Sequence, residues 1–323
     1  MNQNVNQDIS LHFRDVELND KKALGDFMQR FPVRRLNYCF EVLYLWREAC
    51  EFQIEFYNDF LLIKTFIDCH HNFLYPLGEG DVGSVIEKMI HYAEARRCPF
   101  RLFQLSAADR DRLEACCPGR FSFELERGES EYIYRSEKLA TLSGKKLQQK
   151  RNHINYFEQN NEWRFEPLTA ANLSDCYDFN KRWFDAQRAS GDFGEMLELE
   201  LSAIEKAFSE WALLGLDGAL LRANGEVVAY SIGSPLTSDT YLVLFEKSLH
   251  DVRGASQQIN RLFVQRYAKN YAFVNRAEDG GDEGLRQAKL SYHPDVLDEV
   301  YSARLKVEHS VNKPRYDTNG NTL

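Results

Sequence analysis

Apolar and polar positions along the chain alternate between two periods, and the switches between them outline the elements. The pattern predicts a helix over 21–30 and an aromatic-rich helix or close-packed segment over 38–49. FQIEFYN (52–58) and FLLIKTFI (60–67) read as strands parted at Asp59, a hairpin signal. NFLYPLGEGDVG (72–83) ends a strand in a glycine-rich turn. Asp81 stands where it caps a helix over 82–97, whose Val85, Ile86, Met89, Ile90 and Ala93 recur at helical spacing. RLFQLS (101–106), a helix over 107–116, FSFELER (121–127) and YIYR (132–135) complete the first half.

Residues 136–160 form a bridge of good helix formers. Its basic cluster is Lys145, Lys146, Lys150 and Arg151, with no acid between Ser143 and Phe157. A solvated helix face and a phosphate-facing nucleic-acid patch both fit that cluster. Helices over 170–189 and about 195–213 follow, then strands over 219–223, 226–236 and 240–248. Asn224-Gly225 is a strong hairpin signal between the first two of these strands. A helix over 254–269 and a short strand, AFVN (272–275), come next. Both halves run helices, hairpin, strand, glycine turn, helix, strand. The expected architecture is therefore α/β (α+β), two similar domains side by side: 1–138, then 139–308 with its bridging helix. Residues 309–323 read as a polar tail.

The length of 323 residues suits two domains, and 44% hydrophobic content supplies large cores. The formal net charge of −9 argues against a protein that coats nucleic acid, though not against a local basic patch. Seven cysteines (39, 50, 69, 98, 116, 117, 176) form no CxxC pair and read as reduced thiols. The polar start MNQNVNQDIS has no apolar signal core, and no run reaches the ~18 apolar residues of a spanning helix. The expected location is cytoplasmic.

Three places carry candidate chemistry. HDVRGASQQIN (250–260) follows a strand and opens a helix, so Arg253, Gly254, Ala255 and Ser256 offer free N–H groups and a positive dipole end to a phosphate. An ordinary Gly/Ser helix start fits equally well. Glu246, near the end of an apolar strand, suits a base or an ammonium holder. Period-2 alternation makes an outward-facing position as natural. NRAEDGGDEGLRQAKLSYHP (275–294) sets an acidic glycine turn before Arg286 and Lys289, two cations on one helix face. Cys69-His70-His71 lacks a second ligand pair at zinc spacing, so no metal is expected. Cys116-Cys117 reads as two packed thiols. No GxSxG elbow or Walker loop is present.

LATLSGKKLQQKRNHINYF, FEKS, RGASQQIN and NRAEDGGDEGLRQAKLSYHP occur in this order in a bacterial family, together with YLW (44–46), YPLGEG (75–80) and EYIYRSEKLATLSG (131–144). The chain resembles the stand-alone soluble proteins related to the C-terminal domain of phosphatidylglycerol lysyltransferases. That resemblance covers nearly the whole chain. It implies two tandem GNAT-type domains, each a mixed, mostly antiparallel sheet flanked by helices, as in the Fem-type aminoacyltransferases. In the lysyltransferases such a domain moves an aminoacyl group from charged tRNA to a lipid hydroxyl.

By the same resemblance Glu246, Lys289 and Arg286 are the expected catalytic residues, and Arg253 with Gly254, Ala255 and Ser256 the expected donor-binding loop. Asn275, Arg276, Glu278, Asp279 and Tyr292 are motif positions on the substrate side. The implied reaction is direct attack of an amine or hydroxyl on an ester or thioester. Its donor is an aminoacyl-tRNA or acyl-CoA, and no cofactor is required. The chain departs from the lysyltransferases in lacking a transmembrane half and in its acidic charge. A CoA-dependent N-acetyltransferase and a binding or regulatory protein on the same fold remain open alternatives.

Overall fold

A computed structural model describes residues 11–67, 70–191 and 194–306, and the expected tail at 309–323 and Cys69 lie outside them. The first half supplies strands β1 (Arg14–Asp15), β2 (Gln53–Tyr57), β3 (Phe60–Ile67), β4 (His70–Leu74), β5 (Leu77–Gly78), β6 (Arg101–Leu105) and β7 (Phe121–Leu125). Its helices include α1 (Lys21–Arg30), α2 (Phe40–Leu45), α3 (Val82–Ala95) and α4 (Ala107–Cys116). The bridge is two helices, α5 (Ser136–Thr141) and α6 (Gln148–Asn160). The break falls at Leu142 and Gly144, whose φ angles of 50° and 88° lie in the left-handed region and end a helix.

The second half holds β8 (Glu131–Arg135), β9 (Trp163–Pro167), β10 (Asp217–Ala223), β11 (Glu226–Pro235), β12 (Thr240–Ser248), β13 (Phe273–Asn275) and β14 (Val296–Asp298). The helices α7 (Leu173–Ser190), α8 (Glu195–Ser209), α9 (Ala255–Phe263) and α10 (Glu283–Leu290) surround them, and β15 (Tyr301–Leu305) ends the described chain. One sheet runs β1-β2-β3-β4-β6-β15-β7 with β5 on β3, and the other runs β14-β8-β13-β12-β11-β10-β9. Each contains one parallel pair, β4–β6 and β12–β13, in an otherwise antiparallel ladder.

Strand membership does not follow the expected boundary at residue 138. β8 precedes it and pairs with β13 and β14 in the second sheet. β15 follows it, yet inserts between β6 and β7 of the first. β1, β9, β14 and β15 have no counterpart among the predicted strands. All but β9 and β15 are two or three residues long, too short for a periodicity to register.

Three cores explain the apolar runs. Phe60 and Leu62 of β3 pack outward against Val85, Ile86 and Met89 of α3. Leu61 and Ile63 face inward to a core shared with Leu220, Tyr230 and Ile232 of the second sheet and with helices α1, α2, α7 and α8. A strand buried on both faces reads as a near-continuous apolar run, which is why Phe60–Ile63 of β3 do not alternate. The far face of the second sheet, with Leu221, Tyr241 and Val243, packs on Ile154 and Phe157 of α6 and Ile259 and Phe263 of α9. Polar ties join the halves as well. The Leu36 amide donates to both oxygens of buried Glu131 at 3.1 and 3.2 Å. Asn275 Nδ2 donates to the Arg34 carbonyl at 2.7 Å.

Candidate functional site

β12 and β13 run parallel only from Thr240↔Phe273 to Leu242↔Asn275. Beyond that β12 continues to Ser248 while the chain after β13 turns away, so the two strands part. Glu246 and Arg276 lie on the two sides of this opening. A β-bulge decides which way Glu246 points. Opposite β11, Gly233 pairs with Val243 and Ile232 with Phe245, so Leu244 is an extra residue. Tyr241 and Val243 belong to the core under α9, and the inserted Leu244 sends Phe245 into the core between the sheets. Glu246 is thereby turned to the α9 side. Asn260 Nδ2 of α9 donates to its Oε2 at 3.0 Å, and Arg276 Nη2 donates to its Oε1 at 2.8 Å.

Arg276 is the centre of the cluster. Its guanidinium lies 4.9 Å from the Tyr292 ring centroid and 5.9 Å from that of Tyr134. Burial pushes its pKa down, and Glu246 with the two phenols outweighs this to leave it raised. Tyr134 donates its hydroxyl to the Lys289 carbonyl at 2.7 Å. Lys289 is buried, its ammonium donates to the Glu278 carbonyl, and burial lowers its pKa to about 8. The Arg276 charge pushes in the same direction, against Glu278, Asp279 and Glu131. Burial also pushes the Glu131 carboxyl up to about 8.

The acidic glycine turn has a structural role. The Asp279 side chain is fully buried and accepts from Arg286 Nε at 3.0 Å and Nη2 at 2.9 Å, Arg127 Nη1 at 3.1 Å, the Tyr132 hydroxyl at 2.6 Å and the Gly281 amide at 2.9 Å. Gly280 and Gly281, at φ 57° and 84°, supply the left-handed turn. The turn packs on the backbone of Gly128, whose carbonyl accepts from the Gly280 amide at 3.0 Å. Arg286, expected to face a substrate, is thus held by Asp279. Asn275 accepts from the Ala277 amide at 2.8 Å, where Ala277 sits at φ 58°. Glu278 keeps a buried Oε2 with no hydrogen-bond partner.

The loop expected to bind the donor opens a helix, as the sequence suggests. Gly254 caps α9 at φ 90°, and no side chain bonds to the free amides of that helix start. A Cβ on Gly254 would overlap the His153 carbonyl and come within 2.8 Å of Phe157 Cβ, so glycine is needed here to seat α9 on α6. Ala255 is buried, Ser256 is partly exposed, and the Arg253 guanidinium stacks 4.4 Å from the Tyr156 ring.

The basic cluster divides. Lys145 and Lys146 are exposed, while Arg151 caps the end of α5 by donating to the carbonyls of Leu142 and, at 2.8 Å, Gly144. Lys150 is partly buried and donates to Ser291 Oγ of the exposed turn after α10 at 2.6 Å. Among the described residues no group of three or more His, Cys, Asp or Glu side chains is arranged to hold a metal ion. Sequence reasoning missed Tyr132, Tyr134, Arg127 and Asn260. The alternation in YIYR carried a usable signal, since a strand places Tyr132 and Tyr134 on one face.

Comparisons with known proteins place the chain in a family and support the fold. The family model described as phosphatidylglycerol lysyltransferase, C-terminal, matches residues 30–304. A conserved protein of unknown function from Bacteroides thetaiotaomicron is 34% identical, with a TM-score of 0.87 over 92% of this chain and 100% of that one. L-PGS from Bacillus licheniformis superposes with a TM-score of 0.63 at 17% identity, over 89% of this chain and 92% of that one. A tandem GNAT protein from the clavulanic acid biosynthesis pathway gives 0.50 at 9% identity, over 92% and 99%. These last two show the fold, a pair of GNAT-like mixed sheets flanked by helices. An uncharacterized protein of Mycoplasmoides gallisepticum is 25% identical over 181 residues, 54% of this chain and little more than half, 56%, of that relative's length. No helix among the described residues is long and apolar enough to cross a membrane.

Proposed function

Since the chain belongs to the phosphatidylglycerol lysyltransferase C-terminal family, we propose that it is an acyl- or aminoacyl-transferase of the tandem GNAT type. It moves the group from a phosphate-bearing donor, an aminoacyl-tRNA or a CoA thioester, to an amine or hydroxyl acceptor. The observation that carries this reading is the opening between β12 and β13, where the bulge at Leu244 delivers Glu246 to Arg276 beside Lys289. An acyl transfer needs a group to take the acceptor's proton and positive charge for the developing oxyanion. Lys289, with a pKa of about 8, takes the proton when it is neutral. Arg276 supplies the positive charge, and Glu246 fixes its guanidinium. Arg286 acts one step away by holding the loop that presents Lys289.

The donor is decided by filter binding of aminoacyl-tRNA against thermal shift with acetyl-CoA. Retention of tRNA without a CoA shift supports aminoacyl transfer, and the reverse supports a CoA-dependent N-acetyltransferase. Turnover with the bound donor rises with pH through about 8, as Lys289 loses its proton. Lys289→Met and Glu246→Gln each lower it by about 100-fold or more. Folded variants that keep full turnover exclude this site.

A further inference from the structure

Two cations share one tyrosine. Lys150 Nζ lies 4.3 Å and the Arg276 guanidinium carbon 4.9 Å from the Tyr292 ring centroid. Arg276 has a carboxylate partner in Glu246, through Nη2. Lys150 makes a hydrogen bond to the neutral Ser291 hydroxyl. The influences on its charge are burial and the Arg276 cation, both of which lower its pKa, to about 8, and no carboxylate opposes them. Around the same ring two further donors are left over. Arg276 Nη1 and the Tyr292 hydroxyl are buried, the guanidinium lies against the Tyr292 oxygen, and neither has an acceptor in good hydrogen-bond geometry; Tyr292 is 3% exposed. A buried donor without a partner is costly, so such donors beside an ammonium with no carboxylate partner mark a place that suits an acceptor with negative charge.

We propose that Lys150, Arg276 and the Tyr292 hydroxyl form a seat for an oxyanion, the phosphate or carboxylate group of a ligand. The net charge of Lys150, Arg276 and Glu246 is one positive unit, which suits one negative charge. The seat removes Lys150 from the surface patch that the sequence suggested. The seat shares Arg276 with the site proposed for transfer and rests on that reading, but its test reads binding alone, so its failure is distinguishable from a loss of turnover.

An oxyanion in the seat raises the Lys150 pKa and reduces its neutral, reactive form. At pH 8 a rise of one unit cuts the neutral fraction about five-fold. The experiment labels the intact protein with an amine-reactive acylating reagent and quantifies each lysine by mass spectrometry. Inorganic phosphate or acetate is added at constant ionic strength set with chloride. The expected result is several-fold protection of Lys150, with exposed Lys145 and Lys146 unchanged. Protection by phosphate alone identifies a phosphate group, and protection by acetate identifies a carboxylate. Equal labelling of Lys150 in phosphate, acetate and chloride overturns the proposal and leaves a solvated lysine. As a second readout, phosphate or acetate raises the melting temperature of the wild type and of Lys150→Arg but not of Lys150→Gln. A Lys150→Gln protein that is stabilised as much as the wild type also overturns it.

Discussion

The two parallel pairs of the molecule are built alike and finished differently. In the first half β4 and β6 pair from Asn72↔Arg101 to Leu74↔Phe103, with α3 crossing between them. In the second, β12 and β13 are joined by α9. The α3 start is closed by its own acid: Asp81 Oδ1 accepts the Ser84 amide at 3.2 Å and Oδ2 accepts the Ser84 hydroxyl at 2.6 Å. No side chain caps α9, and Arg253 rather than an acid stands before it. Just past the paired residues the first-half strands lead on to Tyr75 and Gln104, where buried Arg35 donates to the Gln104 carbonyl at 2.9 Å and pairs with Asp298. The second-half strands lead on to Val243 and Arg276, which pairs with Glu246 three residues further along β12. A carboxylate fixed at a helix N-terminus uses up the dipole and the free amides that an anionic ligand would need. The same topology therefore yields a crossover with a capped helix start in one half and one with an uncapped start in the other.

The sharpest test of that comparison is a pair of glycine substitutions. Gly254→Ala forces a side chain into the His153 carbonyl at φ 90° and is expected to destabilise the protein by about 2–4 kcal/mol. Gly83→Ala, in the first turn of α3, places its Cβ 3.3 Å from Asp81 Oδ1 and 3.6 Å from Cys116 Cβ, at an unexceptional φ. Helix propensity favours alanine there, so its effect stays within about 1 kcal/mol. Urea unfolding of both variants measures the difference. Equal losses would mean that Gly254 does not set the fit of α9 on α6.

The first-half crossover was legible because every step of it is local. The cap at Asp81, the helical spacing of α3 and the strand β6 can all be read within thirty residues of sequence. The Asn224-Gly225 hairpin is equally local, and both residues take the left-handed conformation expected, at φ 54° and 88°. In the second half the sequence singled out Glu246 and Lys289 as candidates, but it gave no direction for either. Glu246 points to α9 because of one inserted residue, and an apolar run such as TYLVLF gives no sign of a bulge. Gly254 looked like a ligand contact, yet it is small because α6 passes behind it, a packing partner about one hundred residues earlier in the chain. Arg286 and Asp279 stand seven apart in sequence, and neither their bonding nor the part played by Arg127 can be read from spacing. The insertion of β15 between β6 and β7 is a long-range pairing of the same kind.

The loop around Asp279 separates the halves by acid dependence. Burial is the largest influence on Asp279 and pushes its pKa up, but bonds from Arg286, Tyr132 and the Gly281 amide more than reverse it and hold it at about 2. A carboxylate depressed in the folded state contributes stability above its unfolded value near 4, and loses it as pH falls through the folded value. The wild type is therefore expected to lose stability between about pH 4 and pH 2 through this loop. Asp279→Asn removes that part of the slope and lowers stability at pH 7, where Arg127 and Arg286 lose their partner. Urea midpoints from pH 7 down to pH 3 report it. An unchanged acid slope would show that the cluster does not hold the loop.

The smallest effect is expected where the first-half crossover is closed. Asp81 is exposed, and its bonds to the Ser84 hydroxyl and amide lower its pKa. Their contribution is therefore present above the unfolded aspartate range and fades as pH falls below it. Asp81→Ala opens the α3 start and lowers the melting temperature at pH 7 slightly, less than Gly254→Ala does, with little change at pH 3. The variant also makes the two crossovers alike in one respect, because neither helix start then has a side-chain cap. Oxyanion binding still distinguishes them, since the buried cation at the first-half strand ends, Arg35, is already held by Asp298 and by the Gln104 carbonyl. Measured by thermal shift, phosphate stabilises Asp81→Ala by the same increment as the wild type. A larger increment in the variant would mean that an uncapped helix start is enough to hold the ion, and the charged opening of the second half would no longer explain which crossover carries the site.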